Sequence, residues 1–305
     1  MRFSILAGAL VGAILLQASP SAAAEELPGP LVSTDWLDAN LGLDDLLILD
    51  IRSAAAFAGA HIPGAQQTDY PGQWRTERDG VPWVLPDIGD LEVYLTLIGA
   101  GSDTSVIVVP AGTDSTELGG ATWIYWVLKY LGHDAVAILD GGWSAWIGEA
   151  RRTESATQET TPRTFTANVR EQYLATTDYV AARLNTDVVI IDARPPSQYV
   201  GASQSGLVVR AGHIPGAINI DNALFYDAAA NRLLDRAQLE AVLPASLADR
   251  SIALIPYCNT GHWSSINWFV LHELLGFTDV RLYEGSMAAW SRIPDLPVIM
   301  GTSPG

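Results

Sequence analysis

An internal repeat constrains the fold of this 305-residue chain more than any other feature of its sequence. The segment His61-Ile-Pro-Gly-Ala65 recurs as His213-Ile-Pro-Gly-Ala217. Each copy follows an apolar run that ends in Asp-x-Arg, at Asp50–Arg52 and at Asp192–Arg194. Repeats of this length, about 150 residues apart, indicate two duplicated domains rather than a solenoid of short units.

The order of apolar runs within each half predicts alternating strands and helices. Val106–Val109 and Ile252–Ile255 are short and continuously apolar, which is typical of parallel strands covered on both faces. A helix that ends before a glycine follows each run, over Trp123–Leu131 and over Ser264–Leu275. We therefore predict an α/β protein with two tandem domains, each a parallel sheet sandwiched by helices.

The polar, threonine-rich stretch 151–168 separates the two halves and predicts an extended linker. Residues 31–150 are then expected to form the first domain, and residues 169–300 the second.

Residues 1–24 have the pattern of a cleavable signal peptide. Arg2 precedes the apolar run Ile5–Leu16, and Ala22-Ala23-Ala24 forms an A-x-A cleavage site. The run is shorter than the roughly twenty residues that a membrane span needs. We expect cleavage after Ala24 and a periplasmic or secreted protein, and an uncleaved anchor is the alternative.

The charge of the chain limits its binding partners. The formal net charge is −17 and only 17% of residues are charged, so the chain lacks the clustered lysines and arginines that nucleic acids require. The same acidity disfavours adhesion to anionic membranes once the signal peptide is removed. A small anionic substrate remains compatible, because one pocket can be locally positive.

Cys258 is the only cysteine of the chain, and it lies between a predicted strand and a predicted helix. Backbone N–H groups at such a turn favour the thiolate, the reactive form of the side chain. A lone cysteine cannot form an internal disulfide, so in an oxidising compartment it needs burial or a chemical role. An inert buried cysteine is the alternative.

The corresponding loop of the first half, Pro110–Gly120, contains no cysteine, histidine or basic residue. It is expected to be about three residues longer than the loop at Cys258, with Ala111 or Gly112 at the position of the cysteine. Only the second domain can therefore perform thiolate chemistry.

These motifs, together with Gly141-Gly-Trp-Ser-Ala-Trp146, resemble the tandem-domain rhodaneses, the thiosulfate and 3-mercaptopyruvate sulfurtransferases, in an exported bacterial form. The resemblance extends from about Leu31 to about Val298. It implies an inactive first domain and a catalytic second domain that needs no cofactor. It also implies that Cys258 takes a sulfane sulfur from a small anionic donor such as thiosulfate and passes it, as a persulfide, to cyanide or a thiol. It does not identify a protein acceptor.

The predicted site is the loop that begins at the cysteine. Its expected members are Cys258, Asn259, Thr260, Gly261, His262, Trp263 and Ser264. Their N–H groups can curl into a nest for an anionic sulfur, and Gly261 supplies the backbone freedom that the curl needs. The side chains of Asn259, Thr260 and Ser264 are neutral donors, and Ser264 or Ser265 can alternatively cap the helix.

The two ring-bearing residues of the loop allow several roles. His262 can be a cation that favours the thiolate, a neutral acid or base, or a solvent-facing residue. Trp263 can shape the mouth of the pocket or pack against the other domain, and packing is the favoured prediction. Because the loop is neutral apart from His262, backbone amides and the helix terminus are expected to supply most of the anion stabilisation.

Asp192 and Arg194 are expected to support this loop. The resemblance places the aspartate near the loop and the arginine in an ion pair that holds the structure. Because the first half keeps Asp50 and Arg52, a structural role is favoured. The spacing of the five histidines supports no metal site.

The sequence departs from the family at the donor site. Asn259 and Thr260 are neutral where many thiosulfate-using members have basic residues. Gln198 stands where tandem members often place a substrate-binding arginine, and Arg210 is either its substitute or a surface charge. The Asn-x-Gly form of the loop is more similar to that of small single-domain exported thiosulfate sulfurtransferases, so thiosulfate is the favoured donor and 3-mercaptopyruvate the alternative.

Two other functions compete with sulfur transfer. A cysteine phosphatase or arsenate reductase is disfavoured, because Ser264 occupies the sixth position after Cys258, where those enzymes need an arginine. A noncatalytic carrier or binding module that holds a persulfide for a partner protein stays open, since the same loop would serve both.

Overall fold

The computed structural model describes residues 27–157 and 159–302. The predicted signal peptide, residues 1–24, lies outside the described residues. Within them, no helix is long and apolar enough to cross a membrane.

The first domain contains seven strands and five α-helices in the described part of the chain. The strands are β1 (Leu31–Val32), β2 (Leu46–Asp50), β3 (Gln66–Gln67), β4 (Thr76–Arg78), β5 (Val81–Val84), β6 (Ser105–Val109) and β7 (Val136–Leu139). The helices are α1 (Thr34–Ala39), α2 (Ala54–Gly59), α3 (Ile88–Leu97), α4 (Ser115–Tyr130) and α5 (Gly142–Gly148). Five strands form a parallel sheet in the order β1-β7-β6-β2-β3, and β4 and β5 form a separate antiparallel hairpin.

The second domain repeats this plan with shorter elements. Its strands are β8 (Val189–Asp192), β9 (Ile218–Asn219), β10 (Tyr226–Asp227), β11 (Arg232–Leu233) and β12 (Leu254–Tyr257). Its helices are α6 (Thr177–Ala181), α7 (Pro196–Tyr199), α8 (Arg236–Val242), α9 (His262–Trp268) and α10 (Ser286–Trp290). A π-helix, Phe269–Leu274, continues α9, and short 3-10 helices occupy Gly72–Trp74, Glu171–Tyr173, Asn222–Phe225 and Ala245–Leu247.

The parallel sheet of the second domain has the order β12-β8-β9. Two parallel bridges, Leu254 to Val280 and Leu174 to Leu282, extend it on the β12 side. These bridges stand where β7 and β1 stand in the first domain, so the sheet order is repeated. The predicted α/β class with two parallel sheets is confirmed, although the second domain has only isolated bridges near Val280, where the first has β7.

The two domains meet through α4 and α9, the helices that follow the two corresponding loops. A Cβ atom on Gly119 would lie 2.6 Å from Nε2 of His262, so the close approach of the helices requires a glycine at this position. The hydroxyls of Thr122 and Ser265 are 2.8 Å apart across the same contact. This packing places the beginning of α9, and the cysteine loop before it, at the domain interface.

The predicted linker lies along the first domain over its described residues. The backbone of Glu154 pairs with His61, and Arg163 N–H donates to the carbonyl of Thr96 at 3.1 Å. The second domain has the same kind of bridge, from His213 to Ile299, so each histidine turn is tied to the segment that leaves its domain.

Candidate active site at Cys258

Cys258 directly follows β12 and is buried at the domain interface, with 1% of its surface exposed. The hydroxyl of Ser286 accepts hydrogen bonds from Cys258 N–H and Gly261 N–H, both at 3.0 Å. It donates in turn to the carbonyl of Tyr283 at 2.8 Å. Ser286 has a φ of 51°, an uncommon conformation for a residue with a side chain. This serine supports the loop and was not among the predicted site residues.

The loop itself has the glycine turn that the sequence predicts. Gly261 has a φ of 83°, and a Cβ atom there would lie 2.7 Å from the carbonyl oxygen of Glu284. Among the described residues, no acceptor takes a hydrogen bond from the N–H groups of Asn259 and Thr260. These two donors belong to the predicted nest.

The predicted helix caps are wrong. Helix α9 begins at His262 after Gly261, without a side-chain cap, so Ser264 and Ser265 lie inside the first turn. Ser265 donates instead to the carbonyl of His262 at 2.7 Å. The Ser264 hydroxyl is fully buried and has no partner among the described residues, which leaves it able to bond an atom bound at the loop.

His262 contacts the first domain through both ring nitrogens. Its Nε2 lies 2.6 Å from the carbonyl oxygen of Thr116, and its Nδ1 lies 2.7 Å from the hydroxyl of Tyr70. The solvent-facing alternative is therefore wrong. Burial of the ring, and then the positive charge of Arg75, lower the pKa of His262 to about 4. The lowered pKa disfavours the cationic alternative, because the neutral ring then predominates near neutral pH.

Trp263 also contacts the first domain, which agrees with the prediction that it packs against it. Its Nε1 donates to the Thr116 hydroxyl at 3.2 Å. Thr116, near the start of α4, thus bonds to both ring-bearing residues of the cysteine loop.

Arg75 is the main site residue that the sequence reasoning missed. Its Nη1 donates to the carbonyls of Thr260 and Trp83, both at 2.6 Å, and its Cζ lies 3.2 Å from the ring centroid of Trp123. The residue is buried. The expectation that backbone amides and the helix terminus supply most of the positive potential is incomplete, because the first domain adds this cation. The neighbours of Arg75 in sequence carry no motif that could have identified it.

Asp192 and Arg194 form a buried ion pair at 2.5 Å. The carboxylate also accepts from the hydroxyl of Tyr257 at 2.7 Å, and the guanidinium donates to the carbonyl of Gly212 at 2.8 Å. In the first domain, the corresponding aspartate and arginine repeat the pair at 2.6 Å. The same pair in a domain without a cysteine supports the structural role.

Gln198 reaches the cysteine loop, and Arg210 does not. The side-chain amide of Asn259 donates to Oε1 of Gln198 at 2.8 Å, while Asn259 Oδ1 is buried without a partner among the described residues. Arg210 forms no hydrogen bond with the cysteine loop and is instead a half-buried charge that binds the C-terminal segment to its own domain. It donates to main-chain carbonyls of that segment, those of Trp290, Ser291, Ile293 and Leu296.

The first domain has a corresponding loop, but its alignment differs from the prediction. Val109 pairs with Asp50 as Tyr257 pairs with Asp192, so Pro110 stands at the position of the cysteine, rather than Ala111 or Gly112. Because α4 begins at residue 115 and α9 at residue 262, the first-domain loop has one residue more than its counterpart, and not three.

A carboxylate fills the first-domain loop. Glu117 accepts hydrogen bonds from the N–H groups of Ala111 at 2.6 Å and Gly112 at 3.0 Å. Burial raises the pKa of Glu117, and these two hydrogen bonds lower it in part. The two donors follow the proline of their loop as Asn259 and Thr260 follow the cysteine.

Each domain covers the loop of the other. The segment from Arg75 to Leu85, which contains the β4–β5 hairpin, lies over the cysteine loop, and Leu85 N–H donates to Glu284 at 3.3 Å. The β10–β11 hairpin lies over the first-domain loop, where Arg232 is 3.7 Å from Asp140. The cysteine site is therefore built from both domains.

The repeated parallel sheets and the single cysteine loop between them define a tandem α/β protein with one candidate nucleophile. The family model of the rhodanese-like domain matches residues 33–149 and 176–293. The chain belongs to this family, and it is an enzyme of the sulfurtransferase class.

Similar proteins support this assignment over nearly the whole chain. A thiosulfate sulfurtransferase of Pseudomonas aeruginosa is 32% identical over 274 residues, which cover 90% of this chain and 97% of the relative. A thiosulfate sulfurtransferase of Corynebacterium glutamicum is 31% identical over 300 residues, covering 92% and 95%. The crystal structure of SseA from Escherichia coli, described with the 3-mercaptopyruvate sulfotransferases, has a TM-score of 0.73 at 23% identity and covers 85% of this chain and 98% of SseA. That structure supports the fold alone.

Proposed function

We propose that this enzyme transfers a sulfane sulfur from a small anionic donor, thiosulfate in the first place, to a nucleophilic acceptor through a persulfide on Cys258. The observation that carries the proposal is the loop geometry. The cysteine stands at the end of a buried strand, with the N–H groups of Asn259 and Thr260 after it and no protein acceptor for either among the described residues.

The proposed reaction has two half-reactions. The Cys258 thiolate attacks the sulfane sulfur of thiosulfate, the new S–S bond forms, and sulfite leaves with the electron pair of the old bond. The acceptor, cyanide or a thiolate, then attacks the outer sulfur of the persulfide. Cyanide leaves as thiocyanate, and the Cys258 thiolate is regenerated with its negative charge.

The residues around the loop give each step a physical basis. The persulfide keeps one negative charge, which backbone N–H groups and the buried Ser264 hydroxyl can stabilise. Arg75 adds a positive charge close to the loop, although its Nη1 hydrogen bonds go to carbonyls. Tyr70 stays protonated at neutral pH, since burial raises its pKa more than Arg75 lowers it.

Thiosulfate is proposed first because the two relatives described above carry that name. The donor 3-mercaptopyruvate is the second candidate, because Asn259 and Thr260 supply no positive charge directly after the cysteine. The acceptor, cyanide or a thiol, is taken from the chemistry of persulfides and not from a contact in the site.

The test is a mass measurement on purified protein. Incubation with thiosulfate should add about 32 Da, one sulfur atom, and cyanide should remove it with release of thiocyanate. The Cys258→Ser variant should show neither the adduct nor thiocyanate. Absence of an adduct from thiosulfate, from 3-mercaptopyruvate and from a low-molecular-weight persulfide would reject the proposal.

The noncatalytic carrier makes a different prediction in the same assay. A carrier would form the adduct once and release it slowly, so thiocyanate would not exceed one equivalent per chain. Thiocyanate formed over many cycles, at a rate that depends on both thiosulfate and cyanide, identifies the enzyme.

We further propose that residues 1–24 are removed on export, so that the enzyme works in the periplasm or outside the cell. The support is the sequence pattern of Arg2, the apolar run Ile5–Leu16 and Ala22–Ala24. Expression of the full chain in a Gram-negative host, followed by cell fractionation and N-terminal sequencing, should give a periplasmic protein that begins at Glu25. A cytoplasmic protein that begins at Met1 would contradict it.

A further inference from the structure

A hydrogen-bond chain links the first domain to the histidine of the cysteine loop, and its direction is fixed at both ends. Arg75 Nη2 lies 3.3 Å from the Tyr70 hydroxyl, which lies 2.7 Å from Nδ1 of His262. Nε2 of the same ring lies 2.6 Å from the carbonyl oxygen of Thr116. A guanidinium has only donors and a carbonyl only accepts. Arg75 therefore donates to Tyr70, Tyr70 donates to Nδ1, and Nε2–H donates to Thr116.

This chain selects one state of the ring. If Nδ1 were protonated, it would have to donate to the Tyr70 oxygen, which already accepts from Arg75. The Tyr70 hydroxyl could then no longer donate to the ring and would need another acceptor. The imidazolium is therefore disfavoured for two reasons: the hydrogen bond from Tyr70 to Nδ1 is lost, and the positive charge of Arg75 lies nearby. The neutral Nε2–H tautomer satisfies every contact in the chain.

Charged groups of both neighbouring segments face His262. Tyr70 and Arg75 approach it from the segment before β4, and Arg75 lowers its pKa. Asp114, which caps α4, acts in the opposite direction but more weakly than Arg75. Cys258 belongs to the same loop, and a negative charge on it acts on the Tyr70 hydroxyl.

Two further carboxyl groups lie nearby and are held by other contacts. Glu284 accepts a hydrogen bond from the N–H of Leu85. Burial raises the pKa of Glu284, and the charge of Arg75 lowers it only in part. Glu117, on α4, is bonded to the backbone of the first-domain loop. The hydrogen bonds of the His262 ring therefore go to Tyr70 and Thr116, and to neither carboxylate.

We propose that Tyr70 and Arg75 of the first domain are positioning residues that hold His262 neutral, as the Nε2–H tautomer docked on Thr116, and so keep the cysteine loop in its reactive arrangement. The inference rests on the proposed sulfur transfer at Cys258. It assigns the cysteine-free domain a chemical task, since both residues that fix the ring come from that domain.

The test compares the Tyr70→Phe variant with the wild-type enzyme by NMR titration of the His262 imidazole, which needs no sulfur donor. The wild-type ring should titrate with a pKa of about 4, and in Tyr70→Phe its pKa should rise because the phenol no longer donates to Nδ1, while burial and Arg75 still hold it below the ordinary value. A rise of the pKa to about 5 would lower the fraction of neutral rings at pH 5 about twofold, and kcat/KM at pH 5 relative to pH 8 should fall by about the same factor.

Tyr94→Phe is the matched control. Tyr94 also has a hydroxyl in the first domain, bonded to Thr68 at 2.5 Å, and it is not bonded to His262. This variant should keep the wild-type pKa of His262 and the wild-type pH profile of kcat/KM. Arg75→Gln is a second test variant that keeps the phenol, and it should also raise the pKa of His262.

An unchanged His262 titration in both Tyr70→Phe and Arg75→Gln would overturn the inference. A raised pKa of His262 without a change in the pH profile of kcat/KM would also overturn the inference, because the protonation state of the ring would then not affect the reaction. A wild-type protein that forms no Cys258 adduct would instead reject the proposed function, and the titration would still decide whether Tyr70 and Arg75 hold the ring neutral.

Discussion

The loops at Pro110 and at Cys258 occupy the same place in two copies of one fold, yet only one of them has a thiol. Both follow a central strand in the same register with an Asp-x-Arg strand. In the first domain the two N–H groups after Pro110 are bound by the Glu117 carboxylate. In the second domain the corresponding two N–H groups have no acceptor among the described residues.

In the first-domain loop, the two N–H groups already have an acceptor within the same domain. This loop lacks the nucleophile, and its Glu117 carboxylate lies where the proposed anionic donor would be bound in the second domain. Gly142 stands at the position of Ser286, and a Cβ atom at Gly142 would lie 2.3 Å from the carbonyl of Pro110. The first loop therefore lies too close to the start of α5 to accept the serine that supports the second.

The largest expected effect comes from moving the cysteine. The variant Pro110→Cys in a Cys258→Ser background should form no thiosulfate adduct and no thiocyanate, because Glu117 repels the donor and Ser286 has no counterpart. The wild-type enzyme should give both products in the same mass and colour assays. Adding Glu117→Ala to the double variant tests repulsion alone. If the introduced thiol forms an adduct while Glu117 is still present, the absence of a cysteine alone would explain why the first-domain loop is inactive.

A smaller effect is expected from breaking the ion pair that the two domains share. Arg194→Met and Arg52→Met each leave a fully buried aspartate without its partner, which should cost about 3–5 kcal/mol of unfolding free energy. Urea denaturation measures the loss. Equal losses of unfolding free energy in the two variants support one structural role in both domains. If Arg194→Met stays folded and it alone shows a lower kcat/KM, Arg194 has a further role in the reaction.

The smallest effect is expected at Glu117. Glu117→Ala leaves the N–H groups of Ala111 and Gly112 unpaired and should cost about 1–3 kcal/mol, measured by urea denaturation. Millimolar acetate or formate should restore part of this stability in Glu117→Ala and none in the wild type, while kcat/KM stays unchanged. Glu117→Gln is the control, since its amide oxygen can still accept a hydrogen bond. A full loss of stability in Glu117→Ala with no rescue by carboxylates would argue against an internal anion.

The sequence predicted the duplicated domains and the single cysteine of the candidate site. The doubled turn at His61 and His213 revealed two domains, and the apolar runs revealed parallel sheets, because buried parallel strands need continuous apolar sequence. Cys258 stood out as the only thiol, and Gly261 as the residue needed at a positive φ. These features are local, and each depends on a few neighbouring residues.

Other site features were predicted wrongly or not at all, and they depend on residues far apart in the chain. Arg75 and Tyr70 reach the loop only because the two domains pack through α4 and α9, and nothing near either residue encodes that packing. The same contact gives the ring of His262 a hydrogen bond at each nitrogen and lowers its pKa.

Sequence alone therefore determined the fold, the repeat and the candidate nucleophile. The charge and hydrogen bonding around that nucleophile were decided by tertiary structure, because they arise between the surfaces of two domains whose contact no local pattern records.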